Sequence, residues 1–369
     1  MEWNWQRPDW PAFQWDSSRI APAEEQFLLG AGVVIGSVKH LGQDERQALV
    51  VELMSTEAVT TSRIEGEILN RDNVQSSIQK ELGLAVDGRR ATAAESGIAA
   101  MMVDLYRSFA EPLTEARLFA WHRMVTSGRT DLADVGQYRT GTRPMQVVSG
   151  RIGAPRVHFE APPAASVPAE MRRFLAWFNR TTTGGSAPVP AVTRAGVAHL
   201  YFESIHPFED GNGRIGRAIA EKAIAQSAGQ PILLALATAI LTRQKSYYEA
   251  LERANKRNEL TEWLAWFGDV ALQAQGQSTL QVEFLIHKTK LLDRLRGQIN
   301  ERQQKAILRV FKEGPEGFVV GLSAGNYSRI TGVSPATTTR DLADLVKKGA
   351  LMRSGERKRA RYWLDFPMA

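Results

Sequence analysis

Apolar residues recur at helical spacing over much of this chain. In Gln43–Ile64, residues Leu49, Leu53 and Met54 lie on one side of the predicted helix, which is therefore largely apolar along one face. Gly66 follows shortly after this stretch, where a glycine commonly forms a left-handed helix cap. The same spacing predicts further helices over Ala91–Phe109, Thr114–Ser127, Ala169–Thr181 and Thr193–Ile205, and several more from Arg214 to about Gln273.

Two stretches depart from helical spacing. Within Tyr138–Pro163, Met145–Gly150 and Arg156–Phe159 flank the sequence Arg-Ile-Gly-Ala-Pro, which predicts a β-hairpin with a loose turn. Near the start of the chain, Trp3–Trp15 is dense in tryptophan and proline. We interpret it as an irregular arm packed across the surface of the domain rather than as an aromatic ligand cage.

The last part of the chain has shorter apolar repeats. A charged helical segment is predicted from about Gln281 to Arg302, followed by three short helices over Gln304–Phe311, Ser323–Thr331 and Ser334–Lys348. Leu351–Trp363 is predicted to form two short strands around a basic turn. Three helices and a two-stranded wing are the elements of a winged helix-turn-helix, in which the basic turn is a candidate for contact with DNA phosphates.

These elements predict a mainly α protein with one small β-hairpin and a C-terminal winged helix. We divide the sequence into an N-terminal arm with a helix (1–90), a helical core (91–275), a linker helix (276–302) and the winged helix-turn-helix (303–369).

Composition narrows the class of protein. Of the 369 residues, 43% are hydrophobic and 23% are charged, which is typical of a globular protein and excludes a disordered one. The longest apolar run, Pro231–Leu241, is too short to cross a bilayer, and the N-terminus lacks the pattern of a signal peptide. The absence of cysteine excludes disulfides and thiolate metal sites, so we expect a cytoplasmic protein. The net charge of +6 permits binding to nucleic acid or polyphosphate without requiring it.

The segment His206–Arg217 has the features of an anion site. A predicted helix ends at its histidine, a Gly-Asn-Gly turn follows, and a new helix starts near Arg214. Gly211 and Gly213 allow the backbone N–H groups of the turn to point toward one position, where the N-terminus of the next helix adds partial positive charge. Arg214 and Arg217 are three residues apart, so both can reach the same anion.

Two further side chains of this segment suggest phosphate-transfer chemistry. Asp210 offers an oxygen ligand suited to Mg²⁺ that bridges phosphates. His206 can accept a proton near neutral pH, as the activation of a hydroxyl nucleophile requires. The segment is not a P-loop, because no Lys-Ser/Thr pair follows its glycines.

This segment closely resembles the signature of the Fic family, which reads His-Pro-Phe, any residue, Asp or Glu, Gly-Asn-Gly-Arg, two variable residues and Arg. Every fixed position is matched. The resemblance covers about Ala91–Gln273, including Gly136–Arg139 and the hairpin after it. It implies a helical Fic core that transfers AMP from ATP to a Ser, Thr or Tyr hydroxyl of a target protein, with the chain itself among the candidate targets.

The resemblance also implies a role for each matched residue. His206 would deprotonate the target hydroxyl, Phe208 would be buried beneath the loop, and Asp210 would bind Mg²⁺ on the α- and β-phosphates. Arg214 would contact the β-phosphate and Arg217 the γ-phosphate. The anion hole would consist of Gly211, Asn212 and Gly213.

The resemblance also assigns roles to two regions outside the signature. The hairpin residues Val147, Val148, Ser149 and Gly150 resemble the family's flap, which clamps the target backbone by strand addition. Tyr247, Tyr248 and Asn255 occupy positions that line the adenine and ribose pocket in relatives. Of the other histidines, we interpret His122 and His199 as structural and His158, within the hairpin, as a solvated strand position.

Thr61–Gly66 matches a second motif of the family, an inhibitory one that reads Ser or Thr, three residues, Glu, then Gly or Asn. Its place upstream of the core is that of the class with an N-terminal inhibitory helix. The match implies that Glu65 pairs with Arg217 and takes the guanidinium that should hold the γ-phosphate. ATP would then bind with its α-phosphate out of line for attack.

The sequence leaves several alternatives open. Relatives with such a glutamate also remove AMP, so a hydrolase is the first alternative. A DNA-binding regulator with the Fic core as sensor is the second. Other relatives transfer UMP, GMP or phosphocholine. The resemblance further implies a homodimer, whereas the sequence does not identify the target.

Overall fold

The chain is predominantly helical, as the apolar spacing predicts. The structure, a computed structural model, describes residues 2–39, 41–85, 88–151, 154–231, 234–314, 318 and 320–365. The helices within these ranges are α1 (Ser17–Lys39), α2 (Gln43–Ile64), α3 (Arg71–Glu81), α4 (Ala93–Arg107), α5 (Glu115–Val125), α6 (Val167–Arg180), α7 (Ala191–Ile205), α8 (Asn212–Ala228), α9 (Leu236–Thr242), α10 (Gln244–Ala254), α11 (Thr261–Leu295), α12 (Glu301–Phe311), α13 (Ala324–Thr331) and α14 (Pro335–Lys347). None of them is both long and apolar enough to traverse a bilayer.

Two antiparallel hairpins complete the secondary structure of the described ranges. Strands β1 (Gln146–Arg151) and β2 (Ala154–Glu160) form the first one, where the alternating stretch predicts it, and a bulge interrupts their pairing between Val147 and Val148. Strands β3 (Leu351–Ser354) and β4 (Arg361–Leu364) form the second. The fold class predicted from the sequence is therefore confirmed.

The chain divides into two compact units. One consists of Met1–Val33 and Val50–Ser278, and the other of Val34–Leu49 and Thr279–Ala369. In the second unit, α12, α13 and α14 precede the β3–β4 hairpin, which are the elements that the winged helix prediction requires. An apolar cluster that includes Leu295, Ile307 and Leu342 forms the core of that unit.

The charged linker helix differs from the prediction. The boundary proposed at residue 276 falls inside α11, which runs without interruption over Thr261–Leu295, and the helix ends before Arg302. Gly297 then adopts φ 71°, and the side chain of Asn300 accepts a hydrogen bond from the N–H of Gln303 at the start of α12. A left-handed glycine and a new N-cap end one helix and begin the next.

Helix α7 is the central element of the first unit, and all of its residues are buried. Its N-terminus has no side-chain cap of its own, but the carboxylate of Glu24 in α1 accepts hydrogen bonds from the N–H groups of Val192 and Thr193 at 3.1 and 2.6 Å. This contact satisfies two of the free donors of the first turn. It fixes α7, whose other end leads directly to His206.

The tryptophan-rich arm packs against this unit, as we interpreted it, with one short 3-10 turn at Asn4–Gln6. The N–H of buried Asn4 donates to the carbonyl of Asn255 at 2.7 Å, and its side chain donates to Ser204 at 2.8 Å. The ring of Trp3 meets that of Phe159 in β2 edge to face. The arm thus joins α7, α10 and the first hairpin.

Candidate active site

The signature segment forms a tight loop between α7 and α8. His206 closes α7 with a left-handed backbone (φ 48°), and Gly211 precedes α8 with φ 81°. A Cβ atom on Gly211 would lie 2.8 Å from Cγ2 of Val125, so both the backbone conformation and the available space require glycine there. The loop thereby directs the first turn of α8 toward the end of α2.

The side chain of Asn212 fixes the shape of the loop. Its Oδ1 accepts from the N–H of Phe208 at 3.0 Å, and its Nδ2 donates to the carbonyl of Phe208 at 2.8 Å. The amide is therefore bound to the loop from both sides, which leaves the backbone N–H of Asn212 as its contribution to an anion hole.

Phe208 is buried completely beneath this loop. Its ring stacks on His122 with 4.1 Å between centroids, and Tyr138 lies against it. Burial lowers the pKa of His122 to about 4, and its Nδ1 accepts from the N–H of Gly136 at 2.9 Å, so the imidazole is neutral and structural, as the sequence predicts.

Truncating Phe208 should therefore destabilise the protein. We expect Phe208→Ala to lower the free energy of unfolding by about 3–5 kcal/mol, because it removes a fully buried ring and leaves a cavity. Phe208→Leu, which retains most of the apolar volume, should lower it much less. Chemical denaturation of both variants tests this, and an unchanged midpoint for Phe208→Ala would show that the ring is not an anchor.

His206 lies in a protected position beside an acid. Its side chain is 13% exposed, and its Nδ1 is 3.8 Å from Oε2 of Glu203, one helical turn earlier in α7. Burial, with a contribution from the nearby charge of Arg139, lowers the pKa of His206 to about 4. Burial also raises the pKa of Glu203 to about 8. At neutral pH the imidazole is uncharged and can accept a proton.

Asp210 is surrounded by cations. Its Oδ1 accepts from the N–H of Gly211 at 2.5 Å and lies 3.5 Å from Nη2 of Arg214, while its Oδ2 is bound by Arg129. Burial raises the pKa of Asp210, but the charge of Arg214 and these hydrogen bonds outweigh it, so the pKa is below its ordinary value and the group is ionised. Arg129 was not foreseen from the sequence, since nothing in the segment around it marks it.

Arg217 is held by the end of α2. Its side chain is 1% exposed, and Nη2 donates to Oε1 of Glu65 at 2.7 Å while Nε donates to the hydroxyl of Thr61 at 2.7 Å. The structure thus brings together the two motifs recognised in the sequence, which are separated by some 150 residues of chain. The Glu65–Arg217 pair is the one that the resemblance implies.

The carboxylate of Glu65 also lies over the first turn of α8. A Cβ atom on Gly213 would come within 2.2 Å of Oε1 of Glu65. This turn has no side-chain cap, because its N-cap is Gly211. Free N–H groups and partial positive charge attract an anion there, and a carboxylate of the chain itself occupies that position.

Arg214 has an acidic partner of its own. Its Nη1 donates to Oε2 of Glu67 at 2.9 Å and to the carbonyl of Val125 at 3.0 Å. The contact with Glu67 was missed in the sequence, because Glu67 lies one residue beyond the inhibitory motif. Next to these pairs is a cavity of about 480 Å³, whose charged lining residues are Glu65, Glu67, Arg129, Asp210 and Arg214.

The first hairpin exposes all four predicted flap residues. The side chains of Val147 and Val148 are about half exposed. The hydroxyl of Ser149 lies 2.6 Å from Nε2 of His158, and Nδ1 of His158 lies 2.8 Å from Oε2 of Glu252 in α10. His158 thus lies in a strand with 27% of its side chain exposed, as we interpreted it, but it also makes these two contacts. It connects β1 and β2 to α10, and Gly150, with φ 104°, lies within β1 opposite Pro155.

The three residues predicted to line the adenine pocket differ from one another in exposure and in hydrogen-bond partners. Tyr248 is about half exposed, and its hydroxyl donates to the carbonyl of Ile64 at 3.2 Å. Tyr247 is buried with its hydroxyl 2.8 Å from Nε2 of His199, which confirms His199 as structural. Asn255 is also buried and accepts from Ser204, so it supports the N-terminal arm. Tyr247 and Asn255 are thus enclosed in this structure, and the assignment of all three residues to the adenine and ribose pocket stays a prediction.

Comparison with known families gives two matches. Residues 112–224 match the model of the Fic/DOC family, and residues 3–84 match a model described as a domain of unknown function, DUF4172. The first match contains α5, both strands of the first hairpin, α7 and most of α8, together with the loop between them. The second contains α1, α2 and α3.

Curated relatives share the central part of the chain. The protein adenylyltransferase fic-1 of Caenorhabditis elegans is 29% identical over 134 residues, which are 36% of this chain and 22% of that protein. The protein adenylyltransferase Fic of Culex quinquefasciatus is 25% identical over 193 residues, 52% of this chain and 34% of that protein. The chain thus spans between a fifth and about a third of the length of these relatives.

Solved structures share the fold over a longer range. A Fic family protein from Desulfovibrio desulfuricans superposes with a TM-score of 0.52 at 22% identity, over 93% of this chain and 96% of that one. A Fic domain containing signaling protein from Bacteroides thetaiotaomicron gives a TM-score of 0.54 at 18% identity, over 71% and 96%. At such identities the likeness establishes the fold alone.

Proposed function

We propose that this chain, in which residues 112–224 form a Fic/DOC family domain, transfers AMP from ATP to a hydroxyl group of a protein. The observation that carries the proposal is the arrangement around the α7–α8 loop. A neutral buried imidazole, an ionised carboxylate and two arginines surround the uncapped first turn of α8. Both adenylyltransferase relatives support this reading.

The reaction follows from the positions of these groups. The target hydroxyl oxygen attacks the α-phosphorus of ATP, the bond to the β-phosphate breaks, and pyrophosphate leaves. The hydroxyl proton passes to His206. Nδ1 of His206 faces Glu203, at 3.8 Å from its Oε2, so we assign Nε2 as the nitrogen that accepts the proton. Arg214 and Arg217 stabilise the charge that develops on the leaving phosphates.

The donor set fits a magnesium ion. Asp210 is an ionised carboxylate beside the α8 turn and can serve as an oxygen ligand. The described residues contain no group of three or more His, Cys, Asp or Glu side chains that could hold a metal by themselves. Mg²⁺ commonly binds through one or two carboxylates together with substrate phosphates and water. Asp210 would hold it, and the ion would supply positive charge at the α- and β-phosphates.

We further propose that the target docks along the exposed strand β1. Val147 and Val148 offer apolar side chains to a partner, and strand addition would hold the target backbone without requiring a particular target sequence. The contacts of His158 with Ser149 and Glu252 would keep the hairpin in place during docking.

We also propose that Glu65 restrains the reaction. Its carboxylate pairs with Arg217 and lies over Gly213, where a phosphate of ATP would bind. A nucleotide that binds while Glu65 is in place must shift, and a small displacement of the α-phosphate slows in-line attack strongly.

The decisive experiment distinguishes the position of the label. A Glu65→Gly variant should label protein from ATP that carries radioactivity at the α-phosphate, and should not label it from ATP labelled at the γ-phosphate. Label from the γ-phosphate would indicate a kinase and overturn the proposal. Loss of label from an already AMP-modified protein, without any gain, would favour the alternative of an AMP hydrolase.

A second candidate function, DNA binding, rests on the charges of the C-terminal unit. Five exposed cations on α14 and the β3–β4 hairpin form no ion pair with an acidic side chain among the described residues, namely Arg340, Lys347, Arg353, Arg357 and Arg359. Unpaired cations along a helix and an adjacent hairpin suit the phosphates of a DNA duplex.

Salt dependence tests this candidate. We expect the full chain to retard a mixed-sequence duplex in a mobility-shift assay, with log Kobs falling linearly as log salt rises. Replacing Arg357 and Arg359 with alanine should weaken binding and reduce the slope by about two, one for each lost phosphate contact. The control replaces the exposed cations Arg173 and Lys245, which are paired with acids, and should change neither quantity. The homodimer and the cytoplasmic location stay predictions.

A further inference from the structure

Two glutamates, and not one, pair with the signature arginines. Glu65 binds Arg217, and Glu67 binds Arg214 through a contact of 2.9 Å between Oε2 and Nη1. The arginines are almost fully buried, with 6% and 1% of their side chains exposed, whereas about a third of each glutamate side chain is exposed. The glutamates can therefore turn into solvent, while the arginines cannot leave the site.

The end of α2 determines the position of both acids. The N–H of Gly66 donates to the carbonyl of Arg63, and the N–H of Glu67 donates to the carbonyl of Ser62, each at 3.0 Å. With Gly66 at φ 81°, these bonds form a Schellman motif, the common left-handed end of a helix. The motif reverses the chain at Gly66, so that the residues on either side both reach the first turns of α8.

We propose that Glu67 closes the β-phosphate position of the site, as Glu65 closes the γ-phosphate position. This inference rests on the proposed function, in which Arg214 holds the β-phosphate. Arg214 Nη1 is shared between Glu67 and the carbonyl of Val125, and its Nη2 faces Asp210 at 3.5 Å. A phosphate can make close contact with Nη1 only after the Glu67 carboxylate withdraws, because that nitrogen already donates to Glu67 and Val125 and a third anion beside Glu67 and Asp210 would add repulsion.

Because each glutamate pairs with a different arginine, the proposal predicts which nucleotides each glutamate affects. AMP has no β-phosphate and does not need Arg214, so Glu67 should not influence its affinity. ADP needs Arg214 but not Arg217, so Glu67 should weaken its binding and Glu65 should not. ATP needs both arginines. Glu67 therefore determines the number of phosphates that the resting site accepts.

The experiment measures dissociation constants of AMP, ADP and ATP, with magnesium, for the full chain by calorimetry. We expect Glu67→Gln to tighten ADP binding about tenfold, which is the value of one charge-assisted phosphate contact, and to leave AMP unchanged. Glu65→Gln should tighten ATP and leave ADP unchanged. The control is Glu52→Gln, which neutralises a carboxylate of α2 that pairs with the partly exposed Arg71 of α3, and it should alter no constant.

The outcomes separate the alternatives. If Glu67→Gln leaves the ratio of ADP to AMP affinity at the wild-type value, Glu67 forms only a structural ion pair and the inference is overturned. An equal gain for AMP and ADP also overturns it, because it indicates a general change in charge. The binding pattern is independent of turnover. If it appears in a protein that transfers no AMP, the inference holds while the proposed function fails.

Discussion

Replacing His206 should abolish AMP transfer while leaving ATP binding nearly intact, because its imidazole acts on the hydroxyl proton and not on the nucleotide. A general base of this kind contributes about a hundred- to ten-thousand-fold to the rate. The assay requires a Glu65→Gly background, in which transfer is measurable, and compares the rate of autolabelling with the dissociation constant of ATP.

The backbone of His206 calls for a second variant. With φ 48°, the residue is left-handed, a conformation that disfavours alanine and that asparagine adopts several-fold more readily than most residues. His206→Asn should therefore preserve the loop more faithfully than His206→Ala and should be equally inactive. Transfer at the parental rate in either variant would show that the base lies elsewhere.

Removing the carboxylate of Glu65 should increase AMP transfer, whereas replacing His206 should abolish it. We expect Glu65→Gly to raise AMP transfer by at least tenfold, since it frees Arg217 for a bidentate phosphate contact and clears the space over Gly213. Glu65→Asp should relieve the restraint only in part, because the shorter side chain still places a carboxylate nearby. The measurement is autolabelling at saturating magnesium and ATP.

Arg217→Ala is the matched control for this prediction. It breaks the same ion pair but also removes the phosphate ligand, so it should not activate. A purely structural salt bridge would behave symmetrically: both truncations would lower the melting temperature and change activity similarly. If Glu65→Gly is no more active than the wild type, Thr61–Gly66 is simply a capped helix end.

Much of this arrangement could be predicted from the sequence, because it depends on local patterns. The Gly-Asn-Gly turn, the two arginines and the Glu-Gly end of α2 are contiguous motifs, and their expected pairing is present in the Glu65–Arg217 contact. The short helices and the hairpin of the C-terminal unit also follow local periodicity, and each was predicted to within a few residues.

The rest depends on contacts between distant parts of the chain. Helix α1 was not predicted, because Pro22 and several glycines interrupt the apolar spacing of its sequence. Ile20 and Phe27 on this helix are nevertheless buried in the core. Arg129 and Glu67 carry no local signal, and only the fold brings them to Asp210 and Arg214.

Two further residues show what sequence patterns can and cannot predict. Asn255, matched in the sequence to the adenine and ribose pocket, also holds the N-terminal arm, a partner some 250 residues away that no sequence pattern indicates. Glu203 could have been found, since it lies one helical turn before His206.

The turn at Gly66 has a consequence for how the site opens. Both acids depend on one Schellman motif, so fraying of the last turn of α2 would remove them together, in a single local unfolding event. The resting site is then a two-state equilibrium between closed and open forms, and its occupancy by ATP depends on the open fraction. Any change that destabilises this one helical turn, even at a position that touches no nucleotide, should raise the apparent affinity for ATP by the factor by which it raises that fraction.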